Sequence, residues 1–241
     1  MSVPDANALL AVLEATWPAA RRIDAGPFVL REGRDAGSRV SSATAQGPAT
    51  AADVAEAAEA MRALGQEALF RIGPGDGALD ELLAGAGFER RDPTLILAAP
   101  IDAIAGEAPP VTAFAHWPPL AVLGDIWTAE GIGAARQAVM ARVAGPHAAI
   151  LGRTGDRPAG GAFVGVAGEG AMVHAVAVRA PFRRQGLARA LMLSAARWAE
   201  AQGARWLAVA VTEANAPARA LYAGLGMAEA ARYHYRAAPG R

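Results

Sequence analysis

The stretch VHAVAVRAPFRRQGLARALML, from Val173 to Leu193, decides how the rest of the chain reads. Residues 173–178 are an apolar, Val-rich run of strand length. Pro181 marks a turn, and Arg183, Arg184, Gln185 and Gly186 lead directly into a helical pattern beginning at Leu187 and Ala188. At a helix N-terminus the backbone N–H groups lack intrahelical partners and the dipole is positive. A strand, a glycine turn and a helix start in this order therefore outline an anion site. Gly186 allows close backbone approach, and Arg183 and Arg184 can add charge-assisted bonds to a phosphate.

Working outward, a second patterned stretch follows: Asn215, Ala216, Pro217, Ala218, Arg219, Ala220, Leu221, Tyr222, then Gly224, Leu225, Gly226 and Met227. The run from Arg183 to Ala188 resembles the (Arg/Gln)-x-x-Gly-x-(Gly/Ala) signature of GNAT-type N-acetyltransferases. The run from Asn215 resembles the second motif of that superfamily, Asn-x-x-Ala-x-x-Leu-Tyr-x-x-x-Gly-apolar. The two lie in order with a strand between them, and the resemblance extends over about residues 111–236.

The chain also resembles itself. LLAGAGFERRDPTLILAAP (82–100) aligns without gaps onto LYAGLGMAEAARYHYRAAP (221–239), an offset of 139, and AAEAMRALG (57–65) resembles AARWAEAQG (195–203) at 138. A tandem duplication is the simplest account. The expected fold is α/β: two tandem GNAT-like modules, each a mixed, mostly antiparallel sheet flanked by helices. Residues 1–100 form a degenerate module, 101–110 a Pro-rich linker, and 111–241 the catalytic domain. Degeneracy is read from chemistry, because Leu83 stands where the second half has Tyr222, and AQGPATAAD (45–53) carries no positive charge before its helix. In the first half, strands are expected at 28–32, 39–44 and 68–72 and helices at 7–16 and 53–64. In the second, helices are expected at 120–129, 133–144, 187–201 and 216–225.

Composition bounds the function. Of 241 residues, 53% are hydrophobic and 19% charged, enough for a sizeable core. There is no Cys, which excludes disulfides and any acetyl-cysteine intermediate, and the four His residues (116, 147, 174 and 234) show no metal-ligand spacing. The formal net charge is zero, so nucleic acid is not an expected partner. The balance is uneven: residues 1–105 carry 9 Arg against 15 acids and residues 106–241 carry 14 against 8, so the phosphate-like loop lies in the basic half. No apolar run has membrane-spanning length and the N-terminus lacks a signal-peptide pattern, giving a cytoplasmic expectation, as a monomer or homodimer.

The resemblance implies roles residue by residue. Acetyl-CoA is the implied co-substrate. Its diphosphate falls to Arg183, Arg184, Gln185, Gly186, Leu187 and Ala188, and Val176, Ala177 and Val178 would line its slot. Ala177 and Val178 are placed where family members free backbone N–H groups at a bulge for the thioester oxygen. Tyr222 matches the proton donor to the departing thiolate. His174 is the expected base, since VHAVAV resembles the strand of arylamine-type N-acetyltransferases and period-two alternation puts His174, Val176 and Val178 on one face; a half-buried structural His is the competing reading. Asn215 reads first as a helix cap and, by resemblance, as a cofactor contact together with Arg219. His116 and Trp117 fall where related enzymes build the acceptor cleft, whereas Trp127 reads as core. The implied function is acetyl transfer to a primary amine of a small molecule or peptide by direct attack in a ternary complex. The alternative is an acyl-CoA-binding sensor or interaction module without turnover.

Overall fold

The structure, a computed structural model, describes residues 4–104 and 106–238. The chain divides into two compact units. One comprises residues 1–18, 96–211 and 215–230, the other residues 19–95, 212–214 and 231–241. The boundary expected at 101–110 is therefore displaced. Helix α1 (Ala6–Thr16) belongs with the second half of the chain, because Leu9 and Leu13 on its apolar stripe are fully buried in that unit, and Asp5 caps its start by accepting from Ala8 N–H. Strand β5 (Glu89–Pro100) runs up to the expected linker, with Ala98 and Ala99 buried.

The unit centred on residues 19–95 holds a three-stranded antiparallel meander, β1 (Arg21–Ala25), β2 (Phe28–Glu32) and β3 (Thr44–Ala45), with helices α2 (Ala51–Ala63) and α3 (Gly77–Gly85). Strand β4 (Leu69–Ile72) pairs antiparallel with the end of β11 (Ala228–Ala237), from Leu69↔Ala237 to Ile72↔His234. Phe70 makes edge contacts with Phe28 at 5.2 Å and Phe88 at 5.5 Å, forming the aromatic centre of this core. Two local expectations need correction. The strand expected over 39–44 is a 3₁₀ turn at Ser38–Val40 followed by two strand residues. Here side chains take the backbone polar groups: the Ser41 hydroxyl donates to Gly37 O and the buried Arg31 guanidinium to Ser42 O. Strand β1 has the sequence RRIDA and an exposed or half-buried pattern, so hydrophobic periodicity gives no sign of it.

The other unit contains β6 (Ala113–His116), β7 (His147–Thr154), β8 (Arg157–Ala167), β9 (Gly170–Val178) and β10 (Trp206–Thr212), ordered β10-β9-β8-β7-β6. All neighbours are antiparallel except β9 and β10, so the sheet is mixed and mostly antiparallel, as expected. Helix α6 (Leu187–Ala201) lies on one face, and α4 (Ala121–Ala129) and α1 lie on the other; α5 (Ala134–Met140) follows α4, and α7 (Ala216–Ala223) follows β10. Close packing explains the glycines of β8: a Cβ at Gly161 would collide with Leu123 of α4 and one at Gly165 with Thr16 of α1. Leu187 and Leu191 of α6 are buried, each such side chain contributing about 1.5–3 kcal/mol.

The repeat is visible in the element order. Helices α3 and α7 begin at Gly77 and Ala216, and strands β5 and β11 at Glu89 and Ala228, both pairs 139 residues apart. No helix among the described residues is long and apolar enough to cross a membrane.

Candidate acyl-transfer site

Strand β9 borders the candidate site. Its pairing with β10 runs from Gly170↔Trp206 to Val173↔Val209 and stops, so from His174 onward the two parallel strands diverge and leave a slot. On the β8 side the register slips: Phe163 pairs with His174 and Gly161 with Ala177, so Ala162 alone faces Ala175 and Val176. This is a β-bulge, and Ala175 sits in it with φ +52. Its carbonyl accepts a hydrogen bond from the indole N–H of Trp127 on α4 at 2.9 Å.

The bulge decides which backbone groups face the slot. Arg179 N–H donates to Ala159 O on β8, and the two-residue alternation of a strand turns the Ala177 N–H the same way, into the ladder. The N–H groups of Val176 and Val178 then point away from β8, toward the slot. Of the two amides expected to be available, Val178 keeps that place and Ala177 does not; Val176 takes it instead.

The same slip overturns the shared face of His174 with Val176 and Val178. His174 pairs with Phe163 and lies on the face covered by α1, whereas Val178 pairs with Gly160, against Leu187 of α6. His174 is 3% exposed, its ring 4.9 Å from that of Trp17 and 6.3 Å from that of Phe163. The Thr16 hydroxyl donates to Val12 O at 2.7 Å, so at 2.9 Å from His174 Nε2 it can only accept, and Nε2 carries the hydrogen. This is the arrangement of a structural histidine. His116 is corrected for a similar reason: its Nδ1 lies 3.2 Å from Phe114 O and its Nε2 accepts from Leu120 N–H at 3.2 Å, so both nitrogens tie down the turn into α4. Trp117 is 39% exposed, its ring edge-on to His147 at 4.3 Å and to Phe163 at 5.8 Å.

Beyond β9 the loop turns through Arg184 (φ +64) and Gly186 (φ +83) into α6. Gly186 occupies the N-cap position and no side chain caps the helix. The first helical bond is Ala190 N–H to Gly186 O, which leaves the Gly186, Leu187 and Ala188 amides without acceptors among the described residues. Gln185 Nε2 donates to Pro181 O at 3.1 Å. Arg183 Nε donates to Val178 O at 2.9 Å, and its Nη2 is bonded at 2.6 Å to Glu130, the residue closing α4. Arg184 is exposed and has no side-chain partner among the described residues. The corresponding helix start in the first half is closed: Thr50 and Asp53 form a reciprocal capping box on α2.

Helix α7 presents Asn215, Arg219 and Tyr222 at i, i+4 and i+7, one stripe of a helix. Asn215 caps it by accepting from Ala218 N–H at 3.2 Å, which bears out its structural reading. Arg219 is exposed. Tyr222 is 7% exposed, and its hydroxyl has no hydrogen-bond partner among the described residues. Burial pushes the phenol up to about 12.

Trp127 lies in the core, as expected, and is fully buried, but neither its bond to Ala175 nor the role of Glu130 is expected from the sequence. Periodicity marks Trp127 as apolar, but nothing in the chain pairs position 127 with position 175 or position 130 with position 183.

Residues 114–227 match the profile of the Acetyltransferase (GNAT) family. The match spans 114 of the 241 residues, so it is the second half of the chain that is similar to the GNAT acetyltransferases. Among solved structures, a GCN5-related N-acetyltransferase from Kribbella flavida is similar over 100% of this chain and 98% of its own, with 20% identity and a TM-score of 0.71. A GNAT-family protein from Novosphingobium aromaticivorans covers 95% of this chain and 97% of its own at 16% identity and TM-score 0.59. A tandem GNAT protein of the clavulanic acid biosynthesis pathway covers 83% and 76% at 18% identity and TM-score 0.57. No curated protein matches the chain at a significant level.

Proposed function

We propose that the second half of the chain transfers the acetyl group of acetyl-CoA to a primary amine by direct attack in a ternary complex, and that the first half is a duplicated module without a site of its own. The observation that carries this reading is the contrast between two helix starts: α6 opens on three unclaimed amides beside Arg184, whereas α2 is sealed by Thr50 and Asp53. Arg183, Arg184, Gln185, Gly186, Leu187 and Ala188 would hold the diphosphate, with Asn215 and Arg219 at its far side. The pantetheine arm would lie along Val176, Ala177 and Val178.

In the reaction the neutral amine nitrogen bonds to the thioester carbonyl carbon, the carbon–sulfur bond breaks, and the sulfur leaves as thiolate. Tyr222 hands its hydroxyl proton to that sulfur and recovers one from water; the nitrogen loses its own proton to solvent. A phenol whose ordinary value is already near that of an alkyl thiol, and which burial raises further, stays protonated until the thiolate forms. Trp117, exposed at the turn into α4, is the candidate acceptor contact. The acyl-CoA sensor is the second reading, favoured by one observation: His174, the sequence candidate for a base, is sealed in the interior. Release of free CoA from acetyl-CoA in the presence of a panel of polyamines, arylamines, aminoglycosides and peptides decides between them. Turnover on any amine supports the enzyme, and binding without turnover supports the sensor.

A further inference from the structure

We propose that Trp127 is a positioning residue for acyl transfer: its indole N–H anchors the Ala175 carbonyl and, through the same peptide unit, keeps the Val176 amide aimed into the slot to polarise the thioester. The inference rests on the reading of the slot as the acetyl-CoA site.

Three observations converge on it. Ala175 is a non-glycine residue at φ +52, a conformation alanine adopts seldom and only where its surroundings impose it. The extra residue of a bulge leaves the ladder, so its carbonyl needs a partner elsewhere, and Trp127 Nε1 supplies it at 2.9 Å. Trp127 itself is held rigidly: it is fully buried, and Leu123, one turn earlier on α4, packs where a side chain at Gly161 would stand. Gly161 pairs with Ala177, the residue that closes the bulge. Helix α4 therefore contacts both strands of the bulged pair, by an apolar contact at Gly161 of β8 and a directed hydrogen bond at Ala175 of β9.

The Ala175 carbonyl and the Val176 N–H are opposite ends of one rigid trans peptide unit, so fixing the carbonyl fixes the direction of the amide. If the carbonyl lost its donor, that unit would lose its anchor and the Val176 N–H its single direction into the slot. Donors aimed in advance at a developing negative oxygen are effective because they need no reorientation during the reaction, which is the property Trp127 maintains.

The test uses the full chain and the carbonyl stretch of bound [1-¹³C]acetyl-CoA, read by difference infrared spectroscopy, together with CoA affinity by calorimetry. It needs no knowledge of the acceptor. In the wild type the bound thioester carbonyl absorbs at lower frequency than in solution. In Trp127→Phe at least half of that shift is lost, while CoA affinity stays within about threefold, because the diphosphate loop is untouched; turnover on any accepted amine falls about 10-fold to 100-fold. Should Trp127→Phe fail to fold, 3-benzothienylalanine at position 127 keeps the bicyclic shape without the N–H and is expected to give the same spectrum. A full red shift in the folded variant overturns the role of Trp127 and leaves the slot assignment standing. Failure of the wild type to bind acetyl-CoA overturns the slot assignment, and this inference with it.

Discussion

His174 Nε2 donates to the hydroxyl of Thr16, 158 positions earlier in the chain, at 2.9 Å, and that hydroxyl passes its own hydrogen to Val12 O at 2.7 Å. The relay joins β9 to α1 and gives the histidine a structural duty. Thr16→Val, which keeps the shape and removes the hydroxyl, is expected to lower the unfolding free energy by about 1–3 kcal/mol in urea titrations. The pH–rate profile should keep its shape. Loss of a limb near neutrality would restore His174 as the base.

That outcome marks where the sequence stops being informative. Strand, loop, helix and the Asn215 cap are local features, so each is legible in its own residues. The bulge at Ala175 comes from pairing with β8, a partner strand whose register no local pattern records. A single extra residue there reverses the faces of everything before it, which is why alternation placed His174 beside Val178. Helix α1 was legible as a helix, yet its unit depends on Gly165 leaving room for Thr16. His116 reads from the sequence as an acceptor contact, but it ends β6 and both its nitrogens meet backbone that only the folded turn brings near.

Gly186→Val meets no atoms within 4 Å of the new Cβ, so its effect is conformational. A left-handed residue (φ +83) with a side chain costs about 1–2 kcal/mol, more for a β-branched one. The loop is expected to relax away from its anion-binding shape. Acetyl-CoA affinity measured by calorimetry should fall about 10-fold or more while the melting temperature moves by only a few degrees.

Tyr222→Phe should lower kcat by about 100-fold and leave the KM for acetyl-CoA nearly unchanged. The sign of the pH dependence follows from the raised value. A phenol at about 12 stays protonated, and a competent acid, through the alkaline range, so it contributes no falling limb where an unperturbed tyrosine would. The stability it gains from staying neutral is intact below the unfolded value near 10 and is lost as pH rises through about 12. Tyrosinate absorbance, taken as wild type minus Tyr222→Phe, should show this group titrating late.

Glu130→Gln removes the carboxylate that engages Arg183 at 2.6 Å. Because Arg183 is 56% exposed, the pair contributes little to stability. Its effect should appear in ligand affinity: freed of its counter-charge, Arg183 binds CoA up to about fivefold more tightly at low salt, with a steeper salt dependence. Unchanged affinity and slope would place Arg183 outside the anion site.

In the other unit Asp80 accepts from Arg236 Nε at 2.6 Å and lies 2.9 Å from His234 Nε2. The Arg236 guanidinium, and then His234, hold the carboxyl below its ordinary value. A depressed folded value gives stability that is present above the unfolded value near 4 and is lost as pH falls through the folded one. Asp80→Asn should therefore destabilise the protein at neutral pH by about 1 kcal/mol or less, given its partial exposure, and the difference from wild type should vanish on strong acidification in urea titrations.

The central claim is that this duplicated chain has one working anion site, at the uncapped start of α6. Calorimetric titration of the full chain with acetyl-CoA tests it most directly. One molecule bound per chain, abolished or strongly weakened by Gly186→Val, is the expected result. No heat of binding, or two equivalent sites per chain, would contradict it.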